Sequence, residues 1–159
     1  MDKLYKNIIS SKYISVENEY FLQVGAIAYK YINNKYEILL VTSKTSKRWI
    51  IPKGWPQKNK NLSESALQET IEEAGATGNI TQIPVGHYYY EKLSRSKQKS
   101  KKIRLDVFGL EVTEIYQDWQ ERYQRCRQWF TADEAVLIIE QPELAQLVSD
   151  FFNDLEKTK

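Results

Sequence analysis

Apolar and polar residues alternate along the first third of the chain in the way that strands require. The runs 21–31 and 36–42 are rich in β-branched and aromatic residues, and a short polar segment with Asn33 and Asn34 separates them. Asparagine tolerates the left-handed backbone of a tight turn, so the two runs are predicted to form a β-hairpin. A further short apolar strand is predicted at 49–51, where a proline ends it.

A helix is predicted after the polar loop at 57–61. Asn61 or Ser63 is suited to cap its first turn, and Gly75 is suited to the left-handed position after its last turn. The apolar stripe of this helix consists of Leu62, Ala66, Leu67 and Ile71. These positions recur with the helical period, which predicts an amphipathic helix of about three turns with one face on the core.

The rest of the chain is predicted to contain both strands and helices. Strands are predicted at 79–93, 103–113 and 127–130, and the period-two alternation is clearest in the second of them. Thr131 is suited to cap a short helix, and a C-terminal helix is predicted over 141–155. This order of elements predicts a mixed fold of the α+β class.

Length and composition are those of one compact unit. The chain has 159 residues, 42% of them hydrophobic, so 1–159 is predicted to be a single domain with 1–19 as an N-terminal extension. The 23 basic and 21 acidic residues leave a net charge of only +2, which argues against a protein built around nucleic acid. Cys126 is the single cysteine, and no apolar run reaches the length of a membrane span. We therefore expect a cytoplasmic protein, monomeric or homodimeric, with no membrane partner.

Three carboxylates share one face of the predicted helix. Glu69, Glu72 and Glu73 stand at positions i, i+3 and i+4, where helical side chains are neighbours. Like charges at this spacing repel by roughly 0.2 to 0.5 kcal/mol per pair. A hard divalent cation between the carboxylates would remove that repulsion, so the helix is a candidate metal site.

These glutamates fall in register with glycines on both sides of the helix. Gly54, the three glutamates and Gly75 together resemble a Nudix box, whose signature sets a glycine, an Arg-Glu pair, a Glu-Glu pair and a closing glycine at fixed spacing. The box would cover 54–76, and the likeness extends over about 20–140. The segments 49–56 and 127–130 resemble the diphosphoinositol polyphosphate phosphohydrolase-like branch and its bacterial relatives. The resemblance implies a Nudix fold, an α/β/α sandwich with a central mixed sheet between helices.

The resemblance also implies metal chemistry. The expected ligands of Mg²⁺, with Mn²⁺ as a possible substitute, are Glu69, Glu72, Glu73 and the backbone carbonyl of Gly54. The same three glutamates are the candidate catalytic residues, because one that is not fully engaged by metal can take a proton from the attacking water. The sequence leaves the base open among Glu69, Glu72 and an acid from a later loop. The candidates for that loop acid are Glu114, Asp118 and Glu121.

Two charges of the signature are missing. Lys60 stands where the family's first glutamate is expected, and Gln68 stands where its arginine is expected. Thr70 and Ala76 also replace bulky aliphatic residues. Gln68 can still donate an amide N–H to a carboxylate but brings no positive charge. Lys60 either reaches a substrate phosphate or carboxylate, or is an ordinary solvated lysine.

Basic residues outside the box indicate an anionic substrate. Seven positive charges and no acid occupy the 13-residue window 92–104, which is predicted to be a hairpin loop. They are Lys92, Arg95, Lys97, Lys99, Lys101, Lys102 and Arg104. A second set precedes the box and matches the phosphate-contacting segment of the resembled branch; it consists of Ser43, Lys44, Arg48 and Lys53. The predicted substrate-binding residues are Ser43, Lys44, Arg48, Lys53, Lys60, Lys92 and Arg104.

The aromatic residues are less decisive. Tyr88, Tyr89 and Tyr90 must point to alternating faces of a strand, so core packing is expected for at least one of them. Trp55, Tyr116, Trp119 and Trp129 would either stack on a nucleobase or pack in the interior. The single histidine, His87, is expected to be structural.

The expected activity is Mg²⁺-dependent hydrolysis of a phosphoanhydride bond in a small, polyphosphate-rich molecule, with dinucleoside polyphosphates or inositol pyrophosphates favoured. One alternative is a Nudix-fold module that senses a nucleotide or polyphosphate without turning it over, motivated by Lys60 and Gln68. The other is removal of a 5′ pyrophosphate from RNA, which the absence of a recognisable RNA-binding module disfavours.

Overall fold

The computed structural model describes residues 14–15, 20–93 and 100–159. The strands are β1 (Ile14–Ser15), β2 (Tyr20–Ile32), β3 (Lys35–Thr42), β4 (Trp49–Ile50), β5 (Lys53–Gly54), β6 (Ala76–Ile80), β7 (Gly86–Leu93), β8 (Ser100–Ile115) and β9 (Arg127–Thr131). The helices are α1 (Leu62–Ala74), α2 (Ala132–Ile138) and α3 (Pro142–Lys157). None of the helices in these ranges is long and apolar enough to cross a membrane.

Strand β2 is the centre of a mixed sheet. It pairs in parallel with β8 from the register Phe21↔Ile103 to Tyr29↔Glu111, and antiparallel with β3, β5 and β1. Strands β6 and β7 both pair antiparallel with β8, and β9 pairs antiparallel with β3. Among the described strands the β2–β8 pairing is parallel and the others are antiparallel, which gives the mixed architecture that the resemblance implied.

Alternate residues of the central strands face opposite helix layers. Ile27 packs in the cluster that contains residues of α2 and α3, whereas its neighbours Ala26 and Ala28 pack with Ala74 at the end of α1. The period of two along a strand places these neighbours on opposite faces. Helices therefore cover both faces of the sheet, and the predicted α/β/α sandwich is confirmed.

Local sequence signals fix the turns and caps that were predicted. Asn33 and Asn34 join β2 to β3 with φ angles of 53° and 62°, as the hairpin prediction requires. Asn61 caps α1 in a reciprocal capping box with Glu64, and Gly75 ends the helix in the left-handed region at φ 63°. These residues define both ends of the helix that carries the glutamates.

Two predictions about the strands were wrong. The stretch 79–93 is not one strand, because β6 ends at Ile80 and β7 begins at Gly86. The basic window is not wholly a loop either, since Lys92 pairs with Lys101 and the ladder continues towards Arg104. Strand β8 extends beyond the predicted run because its first residues pair with β7 and its last residues pair with β6. Arg95, Lys97 and Lys99 lie outside the described residues.

Candidate active site

The loop between β5 and α1 places Gly54 directly against the carboxylate of Glu69. A Cβ atom built on Gly54 would lie 2.3 Å from Glu69 Cδ and 2.5 Å from each carboxylate oxygen. The Gln57 backbone N–H donates to Ser65 Oγ at 2.9 Å, which ties this loop to the helix. Only glycine leaves the carboxylate of Glu69 in its position beside the chain.

Two glutamates converge on one amide. The side-chain Nε2 of Gln57 lies 3.0 Å from Glu69 Oε1 and 3.4 Å from Glu72 Oε2. Gln68 Nε2 donates to the same oxygen of Glu72 at 2.9 Å, as expected for a glutamine in place of the signature arginine. Burial raises the pKa of Glu69, the hydrogen bond from Gln57 opposes that shift, and the charge of Glu72 adds to it.

Glu73 is the most buried member of the cluster, with 5% of its surface exposed. Its Oε1 accepts from the backbone N–H of Lys53 at 3.1 Å, and its Oε2 accepts from Arg125 Nη2 at 3.3 Å. Burial raises the pKa of Glu73 to about 7, while the guanidinium of Arg125 and the Lys53 N–H act in the opposite direction. The third glutamate is thus held by the protein on both oxygens.

The segment between β8 and β9 docks on the C-terminal end of α1. Trp119 Nε1 donates to the Glu73 carbonyl at 3.2 Å, and the Glu121 N–H donates to the Glu72 carbonyl at 3.0 Å. Arg127 Nη1 also reaches the last turn, with the Ala74 carbonyl at 2.9 Å. The carbonyls at a helix end lack intrahelical hydrogen-bond donors. The donors of this segment satisfy them and hold the segment beside the glutamates.

This docking identifies which later acid joins the cluster. Glu121 has a side chain only 12% exposed, and its Oε1 accepts from Arg125 Nε at 2.8 Å and lies 3.3 Å from Lys44 Nζ. Arg125 bridges Glu121 and Glu73, and the charge of Glu121 contributes to the raised pKa of Glu69 and of Glu73.

The other two proposed acids lie elsewhere. Glu114 is an exposed residue of β8, where it pairs with Thr77 of β6. Asp118 has a side chain 83% exposed and forms an ion pair with Arg122. Glu121 is therefore the one of the three loop acids that the fold brings to the glutamates.

Lys53 links Glu73 to the polar side chains of Tyr90 on β7 and Gln23 on β2. Its Nζ lies 3.3 Å from the hydroxyl of Tyr90, which in turn donates to Gln23 Oε1. Burial lowers the pKa of Lys53 to about 8, and the nearby charge of Glu73 limits that fall. A lysine held this way keeps a positive charge close to the glutamates at neutral pH.

The remaining basic residues of the segment before the box are less closely placed. Ser43 Oγ accepts from the Arg48 N–H at 3.0 Å, and Arg48 Nε donates to Ser46 Oγ at 3.0 Å. Lys44 reaches the site through its ion pair with Glu121. Lys60 is exposed, and within the described ranges no carboxylate lies at ion-pair distance from its ammonium group.

Cations and aromatic rings form a continuous line beside the Gly54 loop. Lys92 Nζ lies 5.7 Å from the ring centroid of Trp55, which lies 6.0 Å from the ring of Phe21, and Lys101 Nζ is 5.1 Å from that same ring. Arg104 differs from these lysines, because its Nε donates at 2.8 Å to the fully buried carboxylate of Asp106. We call the line formed by Lys92, Trp55, Phe21 and Lys101 the cation–aromatic strip.

Several aromatic residues have structural contacts. The guanidinium of Arg127 lies 3.7 Å from the ring centroid of Trp119, and Lys30 Nζ lies 4.0 Å from that of Trp129. Tyr88 is buried in the core, as expected for one of the three consecutive tyrosines. His87 is exposed, and its ring contacts Tyr89.

A divalent cation fits two of the glutamates. Within the described residues no three acidic, histidine or cysteine side chains are grouped to hold a metal ion by themselves. Mg²⁺ is usually held by one or two carboxylates together with water and substrate phosphates, so three are not required. The oxygens of Glu69 and Glu72 already converge on a single donor beneath Gly54. This donor set and the glycine cradle fit such an ion.

Two residues of the site were missed by sequence reasoning. Gln57 lies in a polar loop whose path is not fixed by any local signal. Arg125 is four residues after Glu121, a spacing that would suggest an ion pair only if the segment were known to be helical or turn-like. Both residues reach the glutamates through tertiary contacts.

The mixed sheet lies between two helix layers, and one layer carries the glutamates next to a glycine loop. This combination defines the class of Nudix-fold proteins. The NUDIX domain family matches residues 21–151. The chain therefore belongs to the NUDIX family.

Known proteins with similar sequences and folds agree with this assignment. Nudix hydrolase 12, mitochondrial, of Arabidopsis thaliana is 30% identical over 77% of this chain and 62% of its own length. Diphosphoinositol polyphosphate phosphohydrolase 3-beta of Bos taurus is 31% identical over 65% of this chain and 60% of its own length. The chain thus spans less than two thirds of the length of these relatives. A C. elegans Ap4A hydrolase in a binary complex has the same fold, with a TM-score of 0.62 and 21% identity over 86% of this chain and 98% of that one.

Proposed function

We propose that this protein is a divalent-metal-dependent hydrolase that cleaves a phosphoanhydride bond in a small polyphosphate substrate. The convergence of Glu69 and Glu72 on Gln57 beside Gly54 carries the proposal, because it provides paired carboxylate oxygens next to positive charge. Membership in the NUDIX family supports it. The proposed ligands of Mg²⁺, or of Mn²⁺ in its place, are Glu69, Glu72, Glu73 and the Gly54 carbonyl.

When bound, a divalent cation supplies neutralisation of the bridging phosphates and activation of the attacking water. The protein's own groups hold the reacting parts in place. The side-chain amide of Gln57 must move away from Glu69 Oε1 and Glu72 Oε2 before both oxygens are available to a cation. The Gln57 backbone can stay in place during this movement, because its N–H is bonded to Ser65 Oγ. Glu69 and Glu72 would then hold the cation, while positively charged side chains such as Lys53 would orient the phosphates of the anhydride.

The proton of the attacking water is proposed to pass to one of the carboxylates of the site. Glu121 is a candidate base, because the fold brings it to the cluster on a segment anchored to the Glu72 carbonyl. Glu69 and Glu72 are the other candidates, and burial raises the pKa of Glu69, which makes it a stronger proton acceptor. In each case the water's proton passes to the carboxylate as the oxygen attacks phosphorus and the anhydride oxygen leaves.

The substrate is proposed to be highly anionic. Lys53 lies beside Glu73, and the cation–aromatic strip runs past the mouth of the Gly54 loop with lysines at both ends. Positive potential along this path would attract a polyphosphate and raise its capture rate. Dinucleoside polyphosphates and inositol pyrophosphates carry the charge that this surface favours; a Bos taurus relative is named for diphosphoinositol polyphosphates and the C. elegans neighbour for Ap4A.

The other proposed substrate contacts differ in strength. Arg104 contributes less to the positive potential, because Asp106 neutralises it. Ser43, Lys44, Arg48 and Lys60 remain predicted contacts at the rim. The cytoplasmic location also stays a prediction, since the first of the relatives named above is called mitochondrial.

A sensing module is the second candidate. Both oxygens of Glu73 are engaged by protein donors, and Gln68 replaces the signature arginine, so the cluster would bind a nucleotide or polyphosphate without the geometry for turnover. Tight ligand binding without product would favour this function over hydrolysis.

A substrate panel separates the possibilities. The protein is incubated with Mg²⁺ and diadenosine polyphosphates, inositol pyrophosphates, ADP-ribose, nucleoside triphosphates or 5′-triphosphorylated RNA, and the products are identified by chromatography. We expect cleavage of one of the first two classes. Products from RNA alone would favour 5′ processing, and an inactive but tightly binding protein would favour sensing.

Two variants test the roles of the box residues. Glu73→Gln keeps the size of the side chain and is expected to remove most turnover while the protein stays folded by circular dichroism. Lys60→Glu restores the family's acid. Unchanged rate and metal affinity in Lys60→Glu would make Lys60 an ordinary loop residue, which its exposure favours.

A further inference from the structure

Arg125 is a buried cation inside an acidic cluster. Its side chain is 10% exposed, and its three donor nitrogens have three different partners: Nε donates to Glu121 Oε1 at 2.8 Å, Nη1 to the Thr42 carbonyl at 3.0 Å and Nη2 to Glu73 Oε2 at 3.3 Å. The planar fork of a guanidinium can satisfy several acceptors at fixed angles. Arg125 therefore connects two carboxylates to the end of β3.

The backbone around Arg125 is fixed from the same strand end. The Cys126 N–H donates to Thr42 Oγ1 at 2.9 Å, and the Thr42 N–H donates to the Cys126 carbonyl at 3.0 Å. Together with the bond from Nη1 to the Thr42 carbonyl, they attach Arg125 to the end of β3 at both its backbone and its guanidinium.

The acidic cluster has few other sources of positive charge. Lys44 contacts Glu121 but its side chain is 52% exposed, so solvent screens it. Gln68 supplies an amide to Glu72 and no charge, although the box normally has an arginine there. The Lys53 ammonium group is also near Glu73, but it hydrogen-bonds to Tyr90. Without Arg125, Glu73 would keep the Lys53 N–H and this nearby charge, and would face the charge of Glu121 in a buried setting without a cation bonded to its Oε2.

We propose that Arg125 is a positioning residue that fixes Glu73 and Glu121 for metal binding and catalysis, and so provides from the β8–β9 segment the cationic support that the box lacks at Gln68. This role rests on the proposed hydrolase function. It explains how a box with a glutamine in place of its arginine keeps its third glutamate oriented.

The test compares Arg125→Gln and Arg125→Lys with Arg122→Gln, a control that removes an arginine whose ion pair lies on the surface. Mn²⁺ affinity is measured by electron paramagnetic resonance without substrate, and kcat and KM are measured on the substrate that the panel identifies. Removing groups that orient metal ligands typically costs about 10- to 100-fold in metal affinity or activity. We expect a loss of that size in both quantities for Arg125→Gln and a smaller loss for Arg125→Lys, with Arg122→Gln unchanged.

Other outcomes would overturn the proposal. An increase in KM with unchanged Mn²⁺ affinity would make Arg125 a substrate-phosphate contact, and a lower melting temperature with wild-type affinity and kcat would make it purely structural. Should Arg125→Gln fail to fold, wild-type Mn²⁺ affinity and kcat in Arg125→Lys would still contradict it, because an ammonium group cannot hold three acceptors as the fork does. A wild-type protein inactive on the whole panel would defeat the proposed function, whereas the Mn²⁺ comparison would still test Arg125.

Discussion

Substitution of Gly54 by alanine gives a sharp test of the site, because the effect follows from one distance. The new Cβ would lie 2.3 Å from Glu69 Cδ, whereas non-bonded carbon atoms in good contact are about 3.5 Å apart. The carboxylate must therefore retreat by about 1 Å. The atom that moves is the end of a flexible side chain, so the fold can accommodate the methyl group while Glu69 loses its place.

A misplacement of about 1 Å in a catalytic group can lower the rate about 10²-fold. That factor corresponds to about 2.7 kcal/mol in the activation free energy. We expect kcat/KM of Gly54→Ala to fall by this amount, measured by product release at saturating Mg²⁺. The free energy of unfolding should change by no more than about 1 kcal/mol in urea denaturation, since alanine also reduces the entropy of the unfolded chain.

Gly86→Ala is the matched control. Its Cβ would lie 3.1 Å from Leu147 Cδ1, which is also the end of a flexible side chain but belongs to α3 and not to the helix that carries the glutamates. This variant should keep wild-type kcat/KM. Wild-type kcat/KM in Gly54→Ala would refute the assignment of Glu69 to the reaction, and loss of folding in that variant would refute the argument that the side chain can yield.

Three further predictions concern stability, pH and salt. Asn61→Ala removes the N-cap of α1 and should lower the free energy of unfolding by about 1 kcal/mol without changing kcat at 25 °C. Burial raises the pKa of Glu73 from 4.5 to about 7, so the folded state holds the proton of Glu73 more tightly than the unfolded state does. In EDTA, the free energy of unfolding of the wild type relative to that of Glu73→Gln should therefore fall as pH rises from about 4.5 to 7. A rise over the same pH range would contradict the burial argument. The double variant Lys92→Gln/Lys101→Gln should lower kcat/KM for a polyphosphate by up to about tenfold at low salt, with a smaller loss at high salt.

The parts of the molecule that depend on local signals could be predicted from the sequence. Asn61 and Gly75 define the ends of α1 because capping uses only neighbouring backbone groups, and the glutamate spacing fixes which side chains share a face. Gln57 and Arg125 could not be predicted in the same way. Arg125 reaches Glu73 only because the segment before β9 docks on the end of α1 and hydrogen-bonds to Thr42 of β3.

The basic window shows the same limit on a larger scale. Its composition indicates attraction for an anion, but the position of Lys92 and Lys101 beside the Gly54 loop depends on the register of β7 against β8 and on the parallel pairing of β8 with β2. Arg104 is a different case, because residues two apart share one face of a strand and its contact with Asp106 is local to β8. Sequence composition could suggest the ligand class, whereas these long-range pairings decide which of the cations remain available to bind it.

The central claim is that the Glu69 and Glu72 pair supports metal-dependent cleavage of a phosphoanhydride. The most direct measurement follows a diadenosine polyphosphate or an inositol pyrophosphate by ³¹P nuclear magnetic resonance with the wild type and with Glu69→Gln/Glu72→Gln, each in Mg²⁺ and in EDTA. We predict that anhydride signals disappear only for the wild type in Mg²⁺. Equal cleavage by the double variant, or by the wild type in EDTA, would contradict the claim.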